Sequence, residues 1–147
     1  MKKYKFPKIK VKVSVTKGDK VTITSPEKMV EVMRSIFDAD TIMWTEEVIM
    51  VCLNRANEVV GYYRVSSGGF SGTVLDPRVV MTIALNNASS SIILAHNHPS
   101  GNLKPSEGDI SITDKIKNAC AFFDMKLLDH LIITDESYYS FNESGRL

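Results

Sequence analysis

The feature that most constrains the fold of this chain is an uninterrupted apolar run from Val48 to Leu53. Runs of this kind are typical of central β-strands that are covered on both faces. Two further apolar segments, Ser91 to Ala95 and Met125 to Thr134, indicate more strands, and helical patterns lie between them. The sequence therefore predicts an α/β fold, in which a mixed sheet is flanked by helices.

Three helix starts are marked by a short polar side chain next to a proline. They are Ser25-Pro26, Asp76-Pro77 and Pro105-Ser106. Ser and Asp at the N-cap accept hydrogen bonds from the first helical turn, and Pro suits the first helical position. We expect an amphipathic helix after each of these three signals.

The first 24 residues have a different pattern. Lysines alternate with aliphatic residues between Lys8 and Val13, Gly18-Asp19 indicates a turn, and Val21 to Thr24 indicates a return strand. This period of two predicts a strand pair. The lysines could contact a phosphate backbone, but a solvated edge strand protected by lysines is the favoured interpretation.

Composition and charge exclude several classes of protein. The net charge is +1, so no general attraction to polyanions is predicted. Cys52 and Cys120 lie in apolar segments without a Cys-x-x-Cys pattern, which indicates neither a redox motif nor a cysteine zinc site. No signal peptide or membrane-spanning run is recognisable. The expectation is a cytoplasmic protein that does not contact membranes. The glycines Gly68, Gly69 and Gly72 predict a flexible loop.

A candidate metal site follows the second apolar segment. His96 and His98 are separated by one residue, so in an extended chain their side chains lie on the same face. Asp109 follows after ten intervening residues. Two neutral imidazoles and a carboxylate suit Zn²⁺ at a three-ligand site, where a fourth position remains for water.

The stretch from Ala95 to Asp109 resembles the JAMM motif of the JAB/MPN metalloprotease-like domains. In that motif, His-x-His is followed after ten residues by Asp, with a Ser three residues before the Asp. Ser106 and Asp109 have this spacing. Ala-His-Asn-His-Pro-Ser-Gly at the start of the stretch is most similar to the RadC-like branch, as are Asp76-Pro77-Arg78 and Leu128 to Ile133.

The resemblance covers about Ser25 to Phe141. It implies a JAB/MPN, cytidine deaminase-like fold for residues 25–141, after a lysine-rich strand pair over residues 1–24 and before a loose tail over residues 142–147. Longer members of the family carry an N-terminal helix-hairpin-helix region that binds DNA. The sequence is expected to be a short form without that region.

The resemblance also implies an activity, that of a zinc-dependent metallopeptidase or isopeptidase. His96, His98 and Asp109 would bind Zn²⁺. An acid just before the first sheet strand would be the general base; this acid is taken to be Glu46, with Glu47 as the alternative. The substrate would be a peptide or an isopeptide-linked protein.

Ser106 has two interpretations. Under the resemblance, its hydroxyl would stabilise the developing oxyanion. Alternatively, Ser106 and Asp109 form a helix capping box. The two interpretations compete for Asp109, because a carboxylate bound to zinc has little capacity left for capping. The functional interpretation is favoured. His130 lies among apolar residues and is predicted to be structural or to orient a ligand.

Three other functions are alternatives to hydrolysis. Zinc-dependent deaminases need His-x-Glu and Pro-Cys-x-x-Cys, which this sequence lacks. A non-catalytic module associated with DNA repair remains an alternative, although direct binding of DNA is only weakly supported. A scaffold module is the third, and the presence of the complete ligand set argues against it.

Overall fold

The computed structural model of the protein describes residues 1–68 and 75–147. These residues form three helices and one five-stranded sheet, so the α/β prediction is confirmed. Part of the predicted glycine loop, including Gly69 and Gly72, lies outside the described residues. In chain order the elements are α1 (Pro26–Ile36), β1 (Glu47–Leu53), β2 (Val59–Ser67), α2 (Pro77–Asn86), β3 (Ser91–Asn97), α3 (Glu107–Phe122), β4 (Lys126–Ile133) and β5 (Tyr138–Ser140).

The sheet is mixed, with strand order β2-β1-β3-β4-β5. Strand β1 pairs antiparallel with β2 and β3, β3 pairs parallel with β4, and β4 pairs antiparallel with β5. Every residue from Val48 to Leu53 is buried, as the apolar run predicted. All of β3 is buried as well. These two interior strands form the centre of the domain.

Helices cover both faces of the sheet. All three predicted helix starts are confirmed, with Ser25, Asp76 and Ser106 as N-caps. Helix α1 packs on one face, and helices α2 and α3 pack on the other. The buried cluster on the first face includes Met33, Ile49, Val51 and Ile93. The cluster on the second face includes Val80, Ile116, Met50 and Leu94.

The strand pair predicted over residues 1–24 is wrong. Residues 1–21 contain no helix or strand, and Thr22 makes a single bridge with Glu58. The aliphatic side chains of the alternating segment remain exposed, Ile9 at 88% and Val11 at 71%. A two-stranded hairpin is marginal unless it packs on a core, and these side chains do not pack on the core formed by the described residues.

The prediction of a loose tail after Phe141 is also wrong. Phe141 is 1% exposed, and the chain beyond it turns back on itself. The backbone N–H of Asn142 donates to Asp129 at 3.0 Å, and that of Arg146 donates to the carbonyl of Phe141 at 2.8 Å. Sequence alone could not indicate this, because the partner Asp129 belongs to another element. Among the described residues, no helix has the length and apolar character to cross a bilayer.

Candidate metal centre

The candidate centre lies where β3 ends and α3 begins. His96 is the second-to-last residue of β3. Its side chain is 3% exposed and lies on the face of the sheet that is covered by α3. His98 follows the strand, and its backbone N–H donates to the carbonyl of Ile133 at 3.1 Å. The chain then turns at Gly101, whose φ of 79° is accessible to glycine at little cost. This turn directs the chain towards the first turn of α3, which carries Asp109.

The three predicted ligands converge. The Nε2 atoms of His96 and His98 are 2.9 Å apart. The nearest Asp109 oxygens lie 3.4 Å from His96 Nε2 and 3.6 Å from His98 Nε2. Ligands of a tetrahedral zinc, each about 2.0–2.2 Å from the ion, are roughly 3.4 Å from one another. The two separations to Asp109 match this value and the one between the imidazole nitrogens is shorter, so the three donors could hold one metal ion after a small adjustment of the rings.

Each histidine is held through the ring nitrogen that faces away from the centre. His98 Nδ1 bonds the carbonyl oxygen of Asn102. His96 Nδ1 bonds His130 Nε2 at 2.8 Å, and His130 Nδ1 bonds the hydroxyl of Thr113 at 2.6 Å. His130, which is 1% exposed, thus contacts a candidate ligand directly. Both rings are left with Nε2 facing the centre.

The ionisable side chains at the centre shift one another's pKa values. Burial raises the pKa of Asp109, but the imidazoles of His96 and His98 outweigh burial and hold its pKa well below its usual range. The Asp109 carboxylate raises the pKa of His98 against the effect of partial burial. Burial lowers the pKa of His130 well below its usual value, so His130 is neutral at physiological pH. Because its pKa is lowered, the carboxyl group of Asp109 is ionised at physiological pH, as a metal ligand must be.

Asp109 also takes part in the capping box. Ser106 Oγ accepts from the Asp109 N–H at 3.0 Å, and Asp109 Oδ2 accepts from the Ser106 N–H at 2.8 Å. The capping box given as the alternative role of Ser106 and Asp109 is therefore present. Oδ1 is the carboxylate oxygen nearest to His96 Nε2, whereas Oδ2 both serves the cap and is the oxygen nearest to His98 Nε2.

The two candidate acids are separated by their surroundings. Glu46 lines the cavity beside the three ligands, and its charge contributes to the raised pKa of His98. Glu47, the first residue of β1, instead forms an ion pair with Arg64 on β2. The structure thus brings Glu46, and not Glu47, to the candidate centre.

Asn97 stands between the two histidines and points to the opposite face of the sheet. Its Nδ2 donates to the carbonyls of Ile42 and Thr45 at 2.6 and 2.7 Å, and its Oδ1 accepts from the Glu47 N–H at 2.7 Å. Two of these partners flank Glu46. These three hydrogen bonds therefore brace the backbone that presents Glu46.

The cavity is lined by both polar and apolar residues. Its volume is about 540 Å³, within the usual range for ligand sites. Ser106 and Gly108 lie at its helix end, and the apolar lining comes from Val48, Leu75 and Ile112. All five predicted site residues line this one cavity.

Sequence reasoning did not identify Thr113. Its hydroxyl joins His130 to the backbone of α3, donating to the Asp109 carbonyl at 2.6 Å. One signal was available, because residues four apart on a helix lie on the same face. Thr113 stands in that relation to Asp109.

The fold and the site define the class: an α/β domain with a candidate metal centre at the end of its central strands. A sequence model described as the RadC-like JAB domain matches residues 23–146. The chain belongs to the RadC-like JAB domain family.

Curated relatives agree with this assignment. A UPF0758 protein of Flavobacterium johnsoniae is 48% identical over 100 residues, covering 68% of this chain and 44% of the relative. One from Porphyromonas gingivalis is 42% identical over 103 residues, covering 69% and 45%. One from Streptococcus equi subsp. zooepidemicus is 30% identical over 149 residues, covering 97% and 66%. The chain spans about half the length of the first two of these relatives.

Proposed function

We propose that this domain is a zinc-dependent hydrolase of amide or isopeptide bonds. One observation carries the proposal: His96, His98 and Asp109 converge on a cavity that Glu46 and Ser106 also line. Imidazole nitrogens with a carboxylate oxygen are a donor set that suits zinc. Membership of the JAB domain family supports the same chemistry.

His96, His98 and Asp109 would hold the zinc, which would supply Lewis acidity to polarise a substrate carbonyl and make water more acidic. Proton transfer and stabilisation of the oxyanion are assigned to residues of the chain. The Glu46 carboxylate accepts a proton from the attacking water and passes it to the departing amine nitrogen. Ser106 Oγ uses a lone pair to cap α3, so its O–H remains available to stabilise negative charge on the carbonyl oxygen.

The metal is tested first. Protein purified without added metal is expected to contain zinc in a 1:1 ratio by mass spectrometry. His96→Ala and His98→Ala each remove a ligand and are expected to lose it. Glu46→Gln should retain zinc, because it alters the cavity wall and not the ligands. Full zinc occupancy in His96→Ala protein would refute the assignment.

Activity is tested with a matched pair of variants. Zinc-loaded protein is offered a library of peptides and isopeptide-linked conjugates. Glu46→Gln is expected to lower the rate of cleavage by about 100-fold or more. Glu47→Gln changes the neighbouring acid, which faces Arg64, and should leave the rate nearly unchanged. Equal rates for both variants would remove Glu46 from the mechanism.

A second candidate function rests on the N-terminal segment. Residues 1–20 carry eight lysines and one aspartate, a net charge of +7 against +1 for the whole chain. All of these residues are exposed. A non-catalytic module that contacts nucleic acid would use such a segment. Binding to duplex DNA that weakens as salt rises, and that is lost when residues 1–20 are deleted, would favour this function.

A further inference from the structure

A buried chain of hydrogen bonds runs behind one of the candidate ligands. It passes from His96 Nδ1 to His130 Nε2 (2.8 Å), from His130 Nδ1 to Thr113 Oγ1 (2.6 Å), and from Thr113 Oγ1 to the Asp109 carbonyl (2.6 Å). His130 is 1% exposed and Thr113 is not exposed. The chain therefore begins at one ligand and ends on the backbone of another.

The direction of every hydrogen bond in this chain follows from the last one, in which the Asp109 carbonyl is the acceptor. A carbonyl oxygen only accepts, so the single hydroxyl proton of Thr113 is donated to Asp109. Thr113 Oγ1 can then only accept, and His130 Nδ1 must donate to it. A neutral imidazole with its proton on Nδ1 has a lone pair on Nε2. His96 Nδ1 therefore donates to His130, which leaves the lone pair of His96 on Nε2.

We propose that Thr113 and His130 are positioning residues, which fix His96 in the tautomer and orientation that present Nε2 to the metal. The proposal rests on the metal centre of the proposed function and is independent of hydrolysis. It also ties His96 on β3 to the helix that carries Asp109. The spacing between two ligands from different elements is thereby held by side chains that do not touch the metal.

His98 provides an internal comparison. Its Nδ1 donates directly to the Asn102 carbonyl, only four residues along the chain. One ligand is thus fixed by its own loop, and the other by β4 and α3. Residues that hydrogen-bond a metal ligand without touching the metal commonly change the metal affinity by about 10- to 100-fold when they are removed.

The test uses two substitutions of Thr113 in the full chain. Thr113→Val keeps the shape but removes the hydroxyl, and Thr113→Ser keeps the hydroxyl. Zinc affinity is measured by competition with a chromogenic chelator. Thr113→Val is expected to weaken binding by about 10- to 100-fold, and Thr113→Ser to remain within about 3-fold of wild type. Equal affinity of Thr113→Val and wild type would overturn the proposal.

A spectroscopic readout separates positioning from general stability. In the metal-free protein, ¹⁵N shifts of the imidazoles report which nitrogen is protonated. Wild type and Thr113→Ser are expected to show His96 protonated on Nδ1, and Thr113→Val a mixture of tautomers. Protonation of His96 on Nε2 in wild type would refute the proposal.

A second pair of variants serves if Thr113→Val does not fold. His130→Gln keeps an acceptor for His96, whereas His130→Leu does not, so His130→Gln should bind zinc more tightly; equal affinities would count against the proposal. Wild-type protein that binds no zinc would refute both this proposal and the hydrolase. Wild-type protein that binds zinc but cleaves nothing would refute the hydrolase alone.

Discussion

Asn97 shows how one residue can serve two sides of a sheet. Its neighbours His96 and His98 face α3, while its own amide reaches the segment before β1 on the α1 side. The amide is fully buried and satisfies one N–H and two carbonyl groups. The backbone on either side of Glu46 is therefore fixed by the same tripeptide that carries two candidate ligands.

We expect Asn97→Ala to lower the free energy of unfolding by about 2–4 kcal/mol, because it leaves buried backbone groups without partners. Urea titration would measure the loss. Asn97→Asp has the same shape but turns a carboxylate oxygen towards two carbonyl oxygens, so its loss should be at least as large. A loss below about 0.5 kcal/mol in Asn97→Ala would contradict the bracing role.

At the scale of elements, Asp129 joins β4 to β5 and to the turn that follows. Its Oδ1 accepts from the N–H groups of His130 and Asn142, and its Oδ2 accepts from Ser140 Oγ at 2.6 Å. Burial raises the pKa of Asp129, although these hydrogen bonds act in the opposite direction. The folded state therefore binds the Asp129 proton more tightly than the unfolded state does.

This shift predicts a pH dependence. A carboxyl whose pKa is raised by folding contributes stability at low pH, and that contribution is lost as the pH rises through the folded pKa. Asp129→Asn cannot ionise. The unfolding free energy of this variant, relative to wild type, should therefore increase from pH 4 to pH 7. Thermal or urea unfolding at both pH values measures it, and a decrease would show that the pKa is lowered by folding.

How far the sequence predicts these elements depends on the range of the interactions. The helices after Ser25, Asp76 and Ser106 are marked by local caps, and β1 by its apolar run, so the sequence was sufficient for them. The motif likewise located the candidate ligands. The bonds of Asn97 to Ile42 and Thr45 join residues 55 and 52 positions apart, and no local pattern encodes such pairings.

The N-terminal segment was mispredicted for a related reason. Alternation of lysines and aliphatic residues satisfies the local rule for a strand, but a strand also needs an edge and an apolar surface to cover it. In the described structure residues 8–13 pair with no strand, and the side chains of Ile9 and Val11 remain exposed. The ordered turn after Phe141 was not predicted, because Asp129, the residue that holds it, lies in β4.

At the scale of the whole molecule, charge is divided between the N-terminal segment and the domain. Residues 1–20 have a net charge of +7, which leaves −6 for the rest of the chain. The packed domain begins at about Ile23, which is buried and whose N–H donates to the Asn57 carbonyl at 2.8 Å. The basic segment thus contributes charge without contributing much to the core.

We expect deletion of residues 1–20 to change the free energy of unfolding by less than about 1 kcal/mol, because few buried contacts are lost. The isoelectric point should fall well below neutrality, since most of the lysines are removed. Urea titration and isoelectric focusing measure the two effects. A large loss of stability would show that the segment packs on the domain.

The position of Glu46 has a consequence for the history of such domains. Among the described residues, no hydrogen bond uses its carboxylate, and the frame that presents it is built from Asn97 and backbone. Under the proposed function, one codon change at this position would abolish hydrolysis while leaving the fold and the three candidate ligands in place. Inactive relatives could then arise in a single step and remain stable proteins, and the residue aligned with Glu46 would distinguish them from active ones.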